Sequence, residues 1–188
     1  ATLNFKRPNK NNLIIYEIWA YDFSPLRSFD AITKRLDYIE NLGVNAIEFM
    51  PISEFEGNIS WGYNPTHYFA LDKAYGTPES FKTLVDECHK RGIAVIIDMV
   101  FNHATGLNPM NKLYPYGTDL ANNPWFNVIA PHGDNVYEDW NHDFAPTKTM
   151  FTHSLQYWLE DRSKLDIKPE YSDIVFLNRY GIQLTRAM

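Results

Sequence analysis

The chain has 188 residues, enough for one domain with a buried core. Its 45% hydrophobic and 21% charged residues exclude a disordered composition. The net charge of −6, from 17 Lys and Arg against 23 Asp and Glu with no basic stripe, speaks against a nucleic-acid partner, which needs cations along its phosphates. A single cysteine, Cys88, rules out an internal disulfide framework, and no apolar run approaches the length of a membrane helix.

Taken in chain order, the basic residues Lys6, Arg7 and Lys10 read as a solvated lead-in. No signal peptide is visible, and a first residue Ala1 rather than Met leads to the expectation of a processed, excised or incomplete chain. Leu13 to Trp19 (LIIYEIW) is a short apolar run rich in β-branched and aromatic residues, the pattern of a buried strand. Ser28 caps a helix with Asp30 in its first turn. Phe29, Ile32, Leu36, Ile39 and Leu42 make one apolar stripe that Gly43 stops. Val44 to Met50 is a second strand, ended by Pro51, and residues 51–76 form a long aromatic loop. Thr77 caps the next helix with Pro78 at its first position; Phe81, Leu84, Val85 and Cys88 face inward, and Gly92 closes it. Cys88 therefore reads as a small core residue rather than a nucleophile. Ile93 to Ile97 is a third strand. The βαβαβ order predicts a parallel sheet covered by helices. Residues 104–146 lack a period and read as an irregular excursion, and helical spacing returns at Phe151, Ser154, Leu155, Trp158 and Leu159.

Two segments carry chemistry. In IAVIIDMVFNH (93–103) an apolar strand runs into Asp98, with Asn102 and His103 just beyond it. Parallel α/β folds place ligands outside the C-terminal ends of their strands. There an Asp orients neighbours, an Asn carbonyl binds hydroxyls or Ca²⁺, and a His bonds a hydroxyl. A capped loop with self-satisfied polar groups explains the same residues, and the segment alone leaves both readings open. The second segment, WGYNPTHYFALDKAY (61–75), opens on the same face: Tyr63 offers a flat ring to a pyranose, whereas Tyr68 and Phe69 are expected to roof the core. His67 and His89 lack partners at metal-ligand spacing and are assigned to surface or core. A doubly wound nucleotide-binding domain shares the βαβαβ order. However, Tyr21, Asp22 and Phe23 follow the first strand where a glycine-rich phosphate loop would be needed.

The run GYNPTHYFALDKAYGTPESFKTLVDECHKRGIAVIIDMVFNH (62–103) resembles the first conserved block of the α-amylase family, glycoside hydrolase family 13. YEIW and LGVNAIEFMPISEF upstream resemble that family's first two barrel strands, and the similarity extends over about residues 12–160. The resemblance implies an α/β fold, part of a TIM (β/α)₈ barrel: β/α units over 1–103, a protruding domain over 104–146 and the third barrel helix over 147–160. By the same resemblance Tyr63 stacks under the sugar at the cleavage subsite and His103 hydrogen-bonds that sugar. Asp98 supports the site, and Asn102 ligates a structural Ca²⁺. The implied partner is an α-glucan (starch, glycogen or maltodextrin), with no nucleic acid, no membrane and no required cofactor.

The pattern then breaks. Retaining glycosidases use two carboxyl groups roughly 5–5.5 Å apart, and in this family the nucleophile lies in a segment like D-G-F-R-x-D on the fourth strand. Residues 161–188 match no such segment, and Arg162, Asp166 and Asp173 read as solvated surface. A whole barrel takes about 250 residues and eight strands. The expectation is therefore a fragment of an α-glucan-acting hydrolase or transglycosylase, without catalytic carboxylates and inactive by itself. The alternative is a non-catalytic glucan-binding or regulatory fragment. A sheet of three strands is also expected to expose its edges.

Overall fold

The computed structural model describes residues 5–113, 122–132 and 137–160. The expectations for residues 161–188 lie outside the described residues. Two compact units interleave along the chain: one draws on Ala1–Ile52 and Leu71–Met99, the other on Ser53–Ala70 and Val100–Trp158.

The first unit is built on three parallel strands in the order β1 (Ile15–Ile18), β2 (Ala46–Phe49) and β3 (Ala94–Ile97). Their register aligns Ile18 with Phe49 and Ile97, and Glu17 with Glu48 and Ile96. Strand alternation sends Ile18, Ile47, Phe49, Val95 and Ile97 to one face, where all are buried. Helices α1 (Phe29–Thr33) and α3 (Pro78–Lys90) supply the rings that meet them. Phe29 packs on Phe49 at 6.4 Å, on Phe81 at 5.0 Å and on Tyr75 at 5.9 Å between ring centroids. A fully buried Phe contributes about 1.5–3 kcal/mol through burial alone, so this cluster anchors the unit. On the opposite face Ile15 and Glu17 are exposed while Glu48, Ile96 and Asp98 are half-buried.

The single helix expected over Phe29 to Leu42 is instead two: α1 stops at Thr33, and α2 (Leu36–Asn41) begins after Arg35. Arg35 leaves helical geometry (φ −108°, ψ 7°), and the Thr33 hydroxyl donates back to the Phe29 carbonyl at 2.9 Å, an alternative to the helix ladder. The break rotates the stripe: Phe29, Ile32, Leu36 and Ile39 stay fully buried, but Leu42 is 48% exposed. The start of α3 follows its sequence signals. The Thr77 side chain accepts from Ser80 N–H, and the Ser80 hydroxyl accepts from Thr77 N–H at 3.0 Å, a reciprocal capping box. Gly76, at φ +134°, sits where a Cβ would come within 2.6 Å of that hydroxyl. Cys88 is fully buried, and burial pushes its thiol up to about 12, so it is inert at neutral pH. His89 stacks on Phe5 at 4.0 Å, and burial lowers its imidazole to about 4.

The second unit has short elements where the sequence suggests none: β4 (His103–Ala104) pairs antiparallel with β5 (Glu138–Asp139), and α4 spans Pro109–Leu113. Helix α5 (Ala145–Glu160) opens with Pro146 in its first turn and turns Phe151, Ser154 and Trp158 inward. They join Tyr68, Phe101, Phe126 and Trp140 in an aromatic core. Phe69, expected in that roof, is instead 42% exposed and meets Tyr157 edge-on, because it lies with Tyr68 in a turn that buries only the Tyr68 ring. Among the described residues no helix is long and apolar enough to cross a membrane.

Candidate functional site

The segment Ser53–Ala70 folds back on itself. Phe55 and Pro65 form an antiparallel bridge, Glu54 N–H donates to Ala70 O at 2.9 Å and Thr66 N–H to Glu54 O at 2.9 Å. The tip is tightened by the Ser60–Asn64 side-chain contact and by Gly62 at φ +91°, whose N–H donates to the Ser60 hydroxyl at 2.9 Å. Tyr63 is thereby held between two fixed residues, with exposed Trp61 beside it in sequence.

Three carbonyls of this segment receive donors from the stretch that follows Phe101. His103 Nε2 bonds Tyr63 O at 2.7 Å, Thr105 N–H donates to Pro65 O at 3.2 Å and Asn108 Nδ2 donates to Thr66 O at 2.8 Å. A carbonyl only accepts, so His103 carries its proton on Nε2. The structure thus brings together Tyr63 and His103, 40 residues apart in sequence, and both are half-buried. Tyr137 packs beside the His103 ring at 5.2 Å, a neighbour that no spacing in the sequence announces.

His103 is secured through its backbone too. It pairs with Asp139 across the two-residue ladder, and its carbonyl accepts from the Tyr68 hydroxyl at 2.7 Å. Burial raises the Tyr68 phenol far above its ordinary value, which keeps that hydroxyl a donor. Asn102 is half-buried, and its carbonyl accepts from Trp140 N–H at 3.0 Å. Hard cations such as Ca²⁺ take six to eight oxygen ligands. Among the described residues no group of three His, Cys, Asp or Glu side chains gathers as a metal site. The nearby acid Asp139 is already bonded to Asn127 Nδ2 at 2.7 Å and His132 Nε2 at 2.8 Å. Among the described residues, Asn102 is thus not joined by such a group of carboxylate or imidazole side chains.

Asp98 belongs to the first unit. Its N–H continues the sheet ladder to Phe49 O at 2.9 Å, and its carboxylate shares a sheet face with Glu48 and Glu17. Those two glutamates escape a motif search. The signal for them is the strand period: YEI and IEF each place a Glu on the face away from the helices, and the register sets the two side by side. Burial first, then the charges of Asp98 and Glu17, raise the Glu48 carboxyl above its ordinary 4.5. A carboxyl that holds its proton more tightly when folded adds stability below its unfolded pKa and loses it as pH rises through the folded value. At neutral pH Glu48 therefore costs stability. Glu48→Gln is expected to raise the urea midpoint at pH 7 and to change nothing below about pH 4, where both side chains are neutral. An equal gain at both pH values would trace the effect to packing instead of charge.

Comparison with known proteins gives a consistent set of relatives. The family model described as α-amylase, catalytic domain, matches residues 4–169. Malto-oligosyltrehalose trehalohydrolase of Saccharolobus solfataricus is 35% identical over 162 residues, covering 84% of this chain and 27% of the relative. A 1,4-α-glucan branching enzyme of Paramagnetospirillum magneticum is 36% identical over 146 residues, covering 72% and 18%. The crystal structure of an α-amylase from Geobacillus thermoleovorans complexed with acarbose superposes with a TM-score of 0.67 at 26% identity, covering 82% of this chain and 38% of that one. The chain thus spans about a quarter of the length of its malto-oligosyltrehalose trehalohydrolase relatives.

Proposed function

Because the chain belongs to the α-amylase catalytic-domain family, its three parallel strands forming part of a (β/α)₈ barrel, we propose that it supplies the sugar-holding side of an α-glucan site. The whole protein then hydrolyses or transfers α-glucosidic bonds of starch, glycogen or maltodextrin. The observation that supports this reading is the bond between His103 Nε2 and the Tyr63 carbonyl, which sets side by side the two residues that the family resemblance assigns to one sugar.

Each residue has a distinct task. The Tyr63 ring presents an apolar face to the C–H face of a pyranose, while its carbonyl fixes the imidazole. The His103 imidazole, set by its Nε2 bond to the Tyr63 carbonyl, is assigned the hydrogen bond to a sugar hydroxyl. Asp98 is assigned the supporting carboxylate. In the retaining route a carboxylate attacks the anomeric carbon, a second carboxyl protonates the leaving oxygen, and water then releases the glycosyl-enzyme with that second group acting as base. The D-G-F-R-x-D type of segment that carries the nucleophile in this family does not follow Glu160. The chain by itself accordingly binds glucan without cleaving it.

Two assays on the purified 188-residue chain test this. Titration with maltoheptaose, followed by tryptophan fluorescence, is expected to saturate in the millimolar range, which corresponds to about 4 kcal/mol of binding. A flat response there removes the sugar site. Release of reducing ends from maltodextrin above buffer background would show instead that the chain carries its own catalytic carboxylates.

A further inference from the structure

Tyr68 is a core residue whose ring alone does not account for its side chain. Phe101, Trp140 and Phe151 surround the ring, at centroid distances of 6.1, 5.9 and 5.1 Å, and a phenylalanine would satisfy them equally. Burying a hydroxyl is unfavourable unless it is hydrogen-bonded, and this one is bonded twice: it donates to His103 O at 2.7 Å and accepts from Trp140 Nε1 at 2.9 Å. The other end of the residue is fixed as well, since Tyr68 O accepts from the Ser154 hydroxyl at 2.9 Å and from Trp158 Nε1 at 2.7 Å, both on α5.

The phenol therefore reaches from a rigid aromatic core to one peptide, that of His103. The β4–β5 ladder that carries this peptide is only two residues long, so the Tyr68 bond ties the peptide to the aromatic core from outside the ladder. Trp140 acts on the neighbouring peptide as well, its N–H donating to Asn102 O at 3.0 Å. Successive carbonyls, Asn102 and His103, are thus held by Trp140 and by the tyrosine that Trp140 orients.

We propose that Tyr68 is a positioning residue: through its bond to the His103 carbonyl it sets the orientation of that peptide, and hence of the imidazole that meets the glucan. This rests on the sugar-binding reading of His103 given above.

The test compares the wild-type chain with Tyr68→Phe, which keeps the ring and removes the bond. In protein labelled with ¹⁵N-histidine, the His103 Nε2–H signal is expected to shift and its solvent exchange to quicken at least tenfold, with the His89 and His132 signals unmoved. Affinity for maltoheptaose is expected to fall about tenfold. An unmoved His103 signal overturns the proposal, and so does an unmoved affinity when the wild-type chain binds sugar. If the wild-type chain binds no sugar, the glucan reading fails by itself, and the His103 signal alone decides whether Tyr68 sets the imidazole. Should Tyr68→Phe fail to fold, Trp140→Phe takes its place. That variant leaves the Tyr68 hydroxyl but removes the donor that orients it; a displaced His103 signal supports the positioning role and an undisplaced one overturns it.

Discussion

Replacing His103 by Ala is expected to weaken maltoheptaose binding at least tenfold while leaving the chain folded. Two losses combine. The direct hydrogen bond to the sugar disappears, and a bond of this kind is worth about 0.5–1.5 kcal/mol. The Tyr63 carbonyl also loses its 2.7 Å partner, so the segment that presents the Tyr63 ring is less constrained and more ordering is left to the moment of binding. The fold survives because the His103 backbone bonds, to Asp139 and to the Tyr68 hydroxyl, do not involve the imidazole. His103→Gln offers a useful contrast, since its amide can donate to the same carbonyl. It should recover the Tyr63 part of the loss and not the sugar part. Titration of the three chains by calorimetry reads both. Equal affinities for wild type and His103→Ala would remove His103 from the site.

The largest effect on stability is expected at Phe29. Truncating a fully buried Phe to Ala costs about 3–5 kcal/mol, a large share of the roughly 5–15 kcal/mol that holds a domain together. Phe29 is the ring on which Phe49, Phe81 and Tyr75 converge, so its loss leaves the sheet face, α3 and the segment before α3 without a common partner. Phe29→Ala should lower the urea midpoint severely or abolish the cooperative transition. Phe69→Ala is the matched control: the same chemistry at a half-exposed ring should cost less than about 1 kcal/mol. If the two variants unfold at the same denaturant concentration, the aromatic cluster does not anchor the unit.

Much of this architecture can be read from residues that are near one another in the chain. LIIYEIW, VNAIEFM and IAVII mark their strands because an apolar run leaves little choice of conformation, and the observed strands lie inside those runs. Thr77-Pro78 places the start of α3 to the residue. Local reading fails where neighbours compete: the stripe from Phe29 to Leu42 keeps one period, yet Thr33 and Arg35 divide it, a choice that hydrophobic spacing does not register. Phe69 departs from its expectation for a related reason, since an aromatic residue reads as core whichever way a turn points it. Site residues divide along the same line. Asp98, Asn102 and His103 stand out because they end an apolar strand. The contact of His103 with Tyr63, the row of Glu17 and Glu48 and the tie from Tyr68 depend on register and on partners 31 to 40 residues away, which no single segment specifies.

The bonds that close around Tyr68 also impose an order of events during synthesis. Its hydroxyl and carbonyl partners come 35 residues later at His103, 72 at Trp140, 86 at Ser154 and 90 at Trp158. A ribosome adding about 5–20 residues per second leaves roughly 5–18 s between the appearance of Tyr68 and that of its last partner. For that interval a segment rich in aromatic rings has an incomplete core to enter, whereas each neighbouring strand pair of the parallel sheet becomes available after only 31 or 48 residues. Residues 61–69 thus complete their bonds only once α5 has been made, and a chaperone acting on translating ribosomes would find an aromatic target there.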